Sequence, residues 1–152
     1  MPWLADTARI ERAWLDAYHA ADAAPLHPDR LTSIPPEQLV DLTFVPHPAT
    51  RVVRSRYAAL TIFSANRGTD PIGEIAAGEA EDALITRPVD EVEVRHLPEG
   101  GAPFLSALIE GQTLASAATA TLRTTASFDL TASISGMLAA GAFIAVEFGA
   151  RQ

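Results

Sequence analysis

The chain has 152 residues, 48% of them apolar, and a formal net charge of −8. That length suffices for one ordinary domain, which can bury roughly 70% of the surface that the unfolded chain exposes. It holds no cysteine, which excludes a thiolate nucleophile, a cysteine zinc site and a disulfide framework.

The start, Met1-Pro2-Trp3, runs straight into an amphipathic stretch bearing Asp6, Arg9, Glu11 and Arg12. It lacks the basic head and long apolar run of a secretory signal, and no window approaches a membrane-spanning length. A cytoplasmic protein without a membrane partner is expected. A first helix spans about Trp3 to Ala21, with Trp3, Ile10, Trp14, Ala17, Tyr18 and Ala21 sharing one stripe. Pro25 and Pro28 mark a loop, and Pro35-Pro36-Glu37-Gln38-Leu39-Val40 begins a short helix with proline in its first turn. Leu42 to His47 reads as a strand stopped by Pro46 and Pro48. Arg51 to Tyr57 follows, then an apolar run from Ala58 to Ala65 that suits either helix or buried strand. Asn66 to about Gly78 reads as a loop. Leu84 to Pro88 and Val92 to Leu97 read as two strands, the second alternating Val92 and Val94 with Glu93 and Arg95.

Three helices are expected next: about Pro103 to Glu110, Thr113 to Arg123, and Asp129 to Ala140. Gly111 suits the left-handed position just past a helix end, Thr113 suits the cap that starts the next helix, and Gly141 suits a stop. Ile144, Val146 and Phe148 alternate into a closing strand. The class is α+β: an N-terminal amphipathic helix on a small mixed sheet, then a winged-helix-like three-helix unit. Residues 1–152 read as one domain, in which 1–69 supplies the helix and first strands, 70–99 an acidic segment and strand pair, and 100–152 the three-helix part.

Two helices joined at Glu110-Gly111-Gln112-Thr113 have the layout of a helix-turn-helix. A DNA-reading second helix needs Arg, Lys, Asn or Gln for base edges and cations for phosphates. The helix from Leu114 to Arg123 offers small side chains and one cation, Arg123, so a protein or peptide contact surface is the better expectation. All 11 basic residues are arginine. Residues 1–69 balance 7 acidic against 7 arginine side chains, whereas residues 70–99 carry 9 against 2. Arg51, Arg54 and Arg56, with Arg67 further on, are the one basic cluster. They could dock an acidic partner through bidentate hydrogen bonds, or neutralise the chain's own acidic segment.

Asp16, His19 and Asp22 follow one another at i, i+3 and i+6, but the ends of that set point about 120° apart on a helix, so no metal ligation is expected. His96 shares the Val92/Val94 face, where a hydrogen-bonded structural histidine is expected. Gly100-Gly101 lacks the Lys-Thr of a phosphate loop, and no G-x-S-x-G elbow is present. No catalytic residue and no cofactor is assigned.

Several runs resemble the C-terminal domain of the HvfC/BufC family. They are Pro2-Trp3-Leu4-Ala5-Asp6 with Arg9-Ile10-Glu11 and Trp14, Tyr18-His19-Ala20-Ala21-Asp22, and His47-Pro48-Ala49-Thr50-Arg51-Val52-Val53-Arg54-Ser55-Arg56-Tyr57. Phe104-Leu105-Ser106-Ala107-Leu108, Gly111, Leu114, Phe128-Asp129-Leu130 and Gly141-Ala142-Phe143 continue the likeness. These are packing and turn patterns without a catalytic signature. Family members carry a preceding helical domain assigned to DNA binding; nothing here matches it, so a DNA role resting on it is not carried over, and the alternative reading is a DNA-binding transcriptional regulator fragment lacking its DNA-contacting domain. The resemblance implies a non-catalytic partner of multinuclear non-haem iron oxidases, which modify cysteines in ribosomally made precursor peptides. The strand with three helices also resembles the peptide-recognition module of peptide-modification pathways. That likeness implies a leader peptide added to the edge strand Val92–Leu97 (through Val92, Val94 and His96), with Ile134 and Leu138 on the third helix as a wall.

Overall fold

The last third folds as its punctuation directs. In the computed structural model, which describes residues 4–56 and 80–148, helix ends fall where the small and capping residues stand. The elements in chain order are α1 (Leu4–His19), α2 (Asp29–Thr32), α3 (Pro36–Leu39), β1 (Leu42–Pro46), β2 (Arg51–Ser55), β3 (Glu81–Thr86), β4 (Glu93–Leu97), α4 (Gly101–Ile109), α5 (Leu114–Thr124), α6 (Leu130–Ala139) and β5 (Phe143–Phe148). The fold is α+β. Expectations for Trp3, the Ala58–Ala65 run, the loop to Gly78 and Arg67 concern positions outside the described residues.

Helix α4 ends in a Schellman motif. Gly111 has φ +94, its N–H donates to Leu108 O at 3.0 Å, and Gln112 N–H reaches Ala107 O at 3.0 Å. Thr113 then caps α5, its side chain accepting from Ser116 N at 3.2 Å, and Asp129 caps α6 through Ala132 N at 2.9 Å. Gly141, φ +69, closes α6 in the same way as Gly111 closes α4. The short helix α2 lies beyond the loop expected from Pro25 and Pro28.

Where the sequence suggests one mixed sheet, the described strands form two antiparallel ones. Strands β2, β3 and β4 pair in that order, and β1 pairs with β5. The closing strand therefore joins the first strand, across about a hundred residues, rather than the β3–β4 hairpin. Strand β3 is central and buried on both faces. Its Ala83 and Ile85 face α1, in a cluster with Ile10, Ala13, Ala17 and Val53. Its Leu84 faces the opposite way, into the larger cluster built on Phe104, Leu108, Phe128, Met137 and Phe143. Fully burying one such side chain contributes roughly 1.5–3 kcal/mol.

The buried stripe of α1 is rotated from the expected one: Thr7, Ile10, Ala13 and Ala17 point inward. Small Ala13 and Ala17 let the helix backbone approach the sheet closely, and the aromatics do not fit that gap. Trp14 is left at the flank, and Tyr18, 56% exposed, stacks on it with ring centroids 5.6 Å apart. Two further ties hold the layers together. The Ala142 carbonyl accepts from His47 N at 2.9 Å and from Thr50 Oγ1 at 2.7 Å. Arg87, a buried arginine, reaches from the end of β3 to the last turn of α1, donating to Ala17 O at 2.9 Å, to Ala20 O, and to Asp22 at 2.6 Å. Among the described residues no helix is long and apolar enough to cross a membrane.

Candidate peptide edge and arginine cleft

Strand β4 lies at the margin of its sheet, paired on one side to β3 in the register Ile85↔Val94 and Leu84↔Arg95. Among the described residues no strand pairs with its outer side. Such a margin presents a row of backbone donors and acceptors able to template an added strand. The opposite margin, β2, is different, because Arg9 of α1 donates to the Arg54 carbonyl at 2.6 Å. A guanidinium thus occupies one carbonyl of that edge, as edge strands are commonly protected by charge.

The structure distributes the expected peptide-site residues over two regions. Val92 and Val94 are half-buried under α1, in the cluster of Ile10 and Ile85. Ile134 and Leu138 pack against the other cluster, on the far side of the sheet. The expected groove between β4 and α6, walled by all four, is therefore not formed by these side chains. The reason is topological: a three-stranded sheet with a helix on each face sends alternate residues of β4 to different layers. Leu97, on the Glu93/Arg95 side, enters the larger cluster, so that face is not simply wet. Glu93 and Arg95 pair there at 3.0 Å. His96 is exposed at the strand's end, rather than a structural core histidine. That role falls to His47, 2% exposed. Its Nδ1 accepts from Ala49 N at 3.0 Å, so the ring proton resides on Nε2, 3.0 Å from Ala23 O.

The arginine cluster is also divided. Arg51 turns back to donate to the carbonyls of Pro48 and Thr50 at 2.9 and 2.8 Å. Arg54 and Arg56 instead line an open cleft of about 660 Å³ together with Arg9, Asp6, Ser55 and Asp82. Arg54 Nε stands 3.5 Å from the Asp82 carboxylate, so it does neutralise part of the acidic 70–99 segment. Sequence reasoning missed Arg9, because its distance of 45 residues from Arg54 carries no local signal.

Asp6 anchors the cleft. Its carboxylate accepts from Ser55 Oγ at 2.6 Å and from Arg9 at 2.5 Å. The Ser55 hydrogen bond, and after it the Arg9 contact and the Arg56 charge, outweigh partial burial and hold its pKa below the ordinary 3.8. A carboxyl group depressed in the fold contributes stability above its unfolded value, and loses it as the pH falls through the folded one. Asp6→Asn is accordingly expected to cost about 1–2 kcal/mol at neutral pH. It should also flatten the decline of stability below about pH 4, measured as urea midpoints across a pH series.

Charged groups in and just after α1 are taken up in ion pairs. Asp16 pairs with Arg12 at 3.0 Å and Asp22 with Arg87, while His19 rests edge-on against Tyr18. Among the described residues no group of three His, Asp or Glu converges on one metal position. On α5 the exposed positions include Ser116, Thr119, Ala120, Leu122 and Arg123, a surface with one cation to offer a phosphate backbone. Comparisons of the chain with protein-family models, with curated proteins and with solved structures return no match.

Proposed function

We propose that this chain is a non-catalytic accessory protein of the cytoplasm. It recognises a precursor peptide and presents it to a multinuclear non-haem iron oxidase during ribosomal peptide modification. The observation that carries the reading is the outer side of β4, which no strand pairs among the described residues. Main-chain hydrogen bonds from that edge to an added strand require no special side-chain chemistry. Strand β4 is paired along its length to the buried strand β3, so its edge is formed before binding and less ordering cost attends it. The family resemblance supplies the oxidase, and the iron belongs to that partner. A fold punctuated by caps and small residues suits a scaffold that holds a peptide edge in place.

The test is co-expression with an iron oxidase and a precursor peptide drawn from the same gene neighbourhood. A three-component complex is expected on size-exclusion chromatography, with iron fractionating with the oxidase alone. Failure of the chain to join oxidase and peptide, or one equivalent of metal retained by the isolated chain after chelation, would contradict the proposal.

A further inference from the structure

We infer that the cleft between α1 and the end of β2 is a docking site for a single carboxylate of a polypeptide partner, held by Arg56 and Arg54. The inference rests on the chain being a peptide-binding protein, and adds a contact on the sheet margin opposite to β4. Three guanidinium groups converge there from two elements. Arg9 is committed to Asp6 and to the Arg54 carbonyl. Arg54 engages Asp82 through Nε, at 3.5 Å, and among the described residues the terminal nitrogens of its fork have no ion-pair partner. Arg56 is exposed and makes no ion pair among the described residues. Against two carboxylates, Asp6 and Asp82, the described lining of the cleft carries an excess of one positive charge in a chain of net −8.

Charge decides the occupant. Guanidinium forks match carboxylate geometry through two parallel hydrogen bonds. A polyanion such as nucleic acid or an acidic run would meet the repulsion of the whole molecule, whereas one carboxylate meets mainly the local excess. The cleft therefore suits an isolated Glu, Asp or chain terminus within an otherwise neutral peptide.

The test uses the full ¹⁵N-labelled chain, titrated with the tripeptide Ac-Ala-Glu-Ala-amide, with its Gln counterpart, and with inorganic phosphate, followed by NMR. The Glu peptide is expected to shift the amides of Arg54, Ser55 and Arg56, and the Gln peptide to leave them in place. Arg56→Ala should weaken binding about tenfold, corresponding to one charge-assisted hydrogen bond. Arg51→Ala, outside the cleft, should leave it unchanged. Equal responses to Glu and Gln, a response that survives Arg56→Ala and Arg54→Ala alike, or phosphate binding as tightly as the peptide would each overturn the assignment. So would binding that appears only after Asp70, Glu74 and Glu79 are neutralised together, since the occupant would then be the chain's own acidic segment. None of these outcomes involves β4, so the edge-binding proposal stands or falls separately.

Discussion

Replacing Gly141 by alanine is expected to destabilise the protein by about 3–4 kcal/mol, among the largest effects available to a single methyl group. Two penalties add at this position. The backbone has φ +69, a conformation that costs an L-residue about 1 kcal/mol or more. A Cβ there would also lie 2.7 Å from Pro88 Cβ and 3.2 Å from Pro25 Cγ. Both neighbours are rings with little freedom to withdraw, and overpacking of this kind costs about 1–3 kcal/mol. The strain would reach further than the turn, because Ala142 and Phe143 next to it accept hydrogen bonds from His47, Thr50 and Leu26. Gly111→Ala is the control. Its φ is +94, yet a Cβ would meet nothing within 4 Å, so only the conformational cost of about 1 kcal/mol should appear. Urea denaturation at constant m-value separates the two. Equal losses at both positions would show that the proline contacts are unimportant.

Arg87→Met should cost about 3 kcal/mol, measured in the same way. The substitution keeps an apolar stem and removes the guanidinium. It leaves the carbonyls at the end of α1 without their donors, and an unsatisfied buried polar group costs about 1–3 kcal/mol. The guanidinium also places positive charge at a helix C-terminus, where the macrodipole favours it. Arg87→Lys should recover only part of the loss, since an ammonium cannot reach Ala17 O, Ala20 O and Asp22 from one planar fork. Asp22→Asn should change stability by less than about 0.5 kcal/mol, because that carboxylate is 90% exposed. A large effect of Asp22→Asn with a small one of Arg87→Met would reverse this assignment of roles.

The contrast between these two residues shows what sequence can and cannot reveal. Gly141 is legible because a helix end, a small residue and a following apolar alternation stand side by side in the chain. Thr113, Gly111 and the helix from Asp129 are legible for the same reason. Arg87 is not, because its partners lie 65 to 70 residues away and a lone arginine after a strand looks like solvent-facing charge. The pairing of β5 with β1 is hidden in the same way: alternation announces a strand but does not choose its neighbour. The rotation of α1 follows from the gap between helix and sheet, which favours Ala13 and Ala17 over Trp14 and Tyr18. Alternation along β4 marks a half-buried strand, and the strand forms there. The second layer beneath Leu97 depends on β2 and α4 coming together, which no local pattern records.

The edge of β4 is the centre of the functional account, and amide hydrogen exchange along residues 93–97 tests it most directly. The measurement compares the free chain with the chain saturated by its precursor peptide. Exchange should slow at alternate residues of β4, those whose N–H groups point away from β3, while the N–H groups already bonded to β3 remain protected as before. Peptide binding that leaves every β4 amide unaltered, with new protection confined to α5 or α6, would contradict strand addition and return recognition to the helical surface.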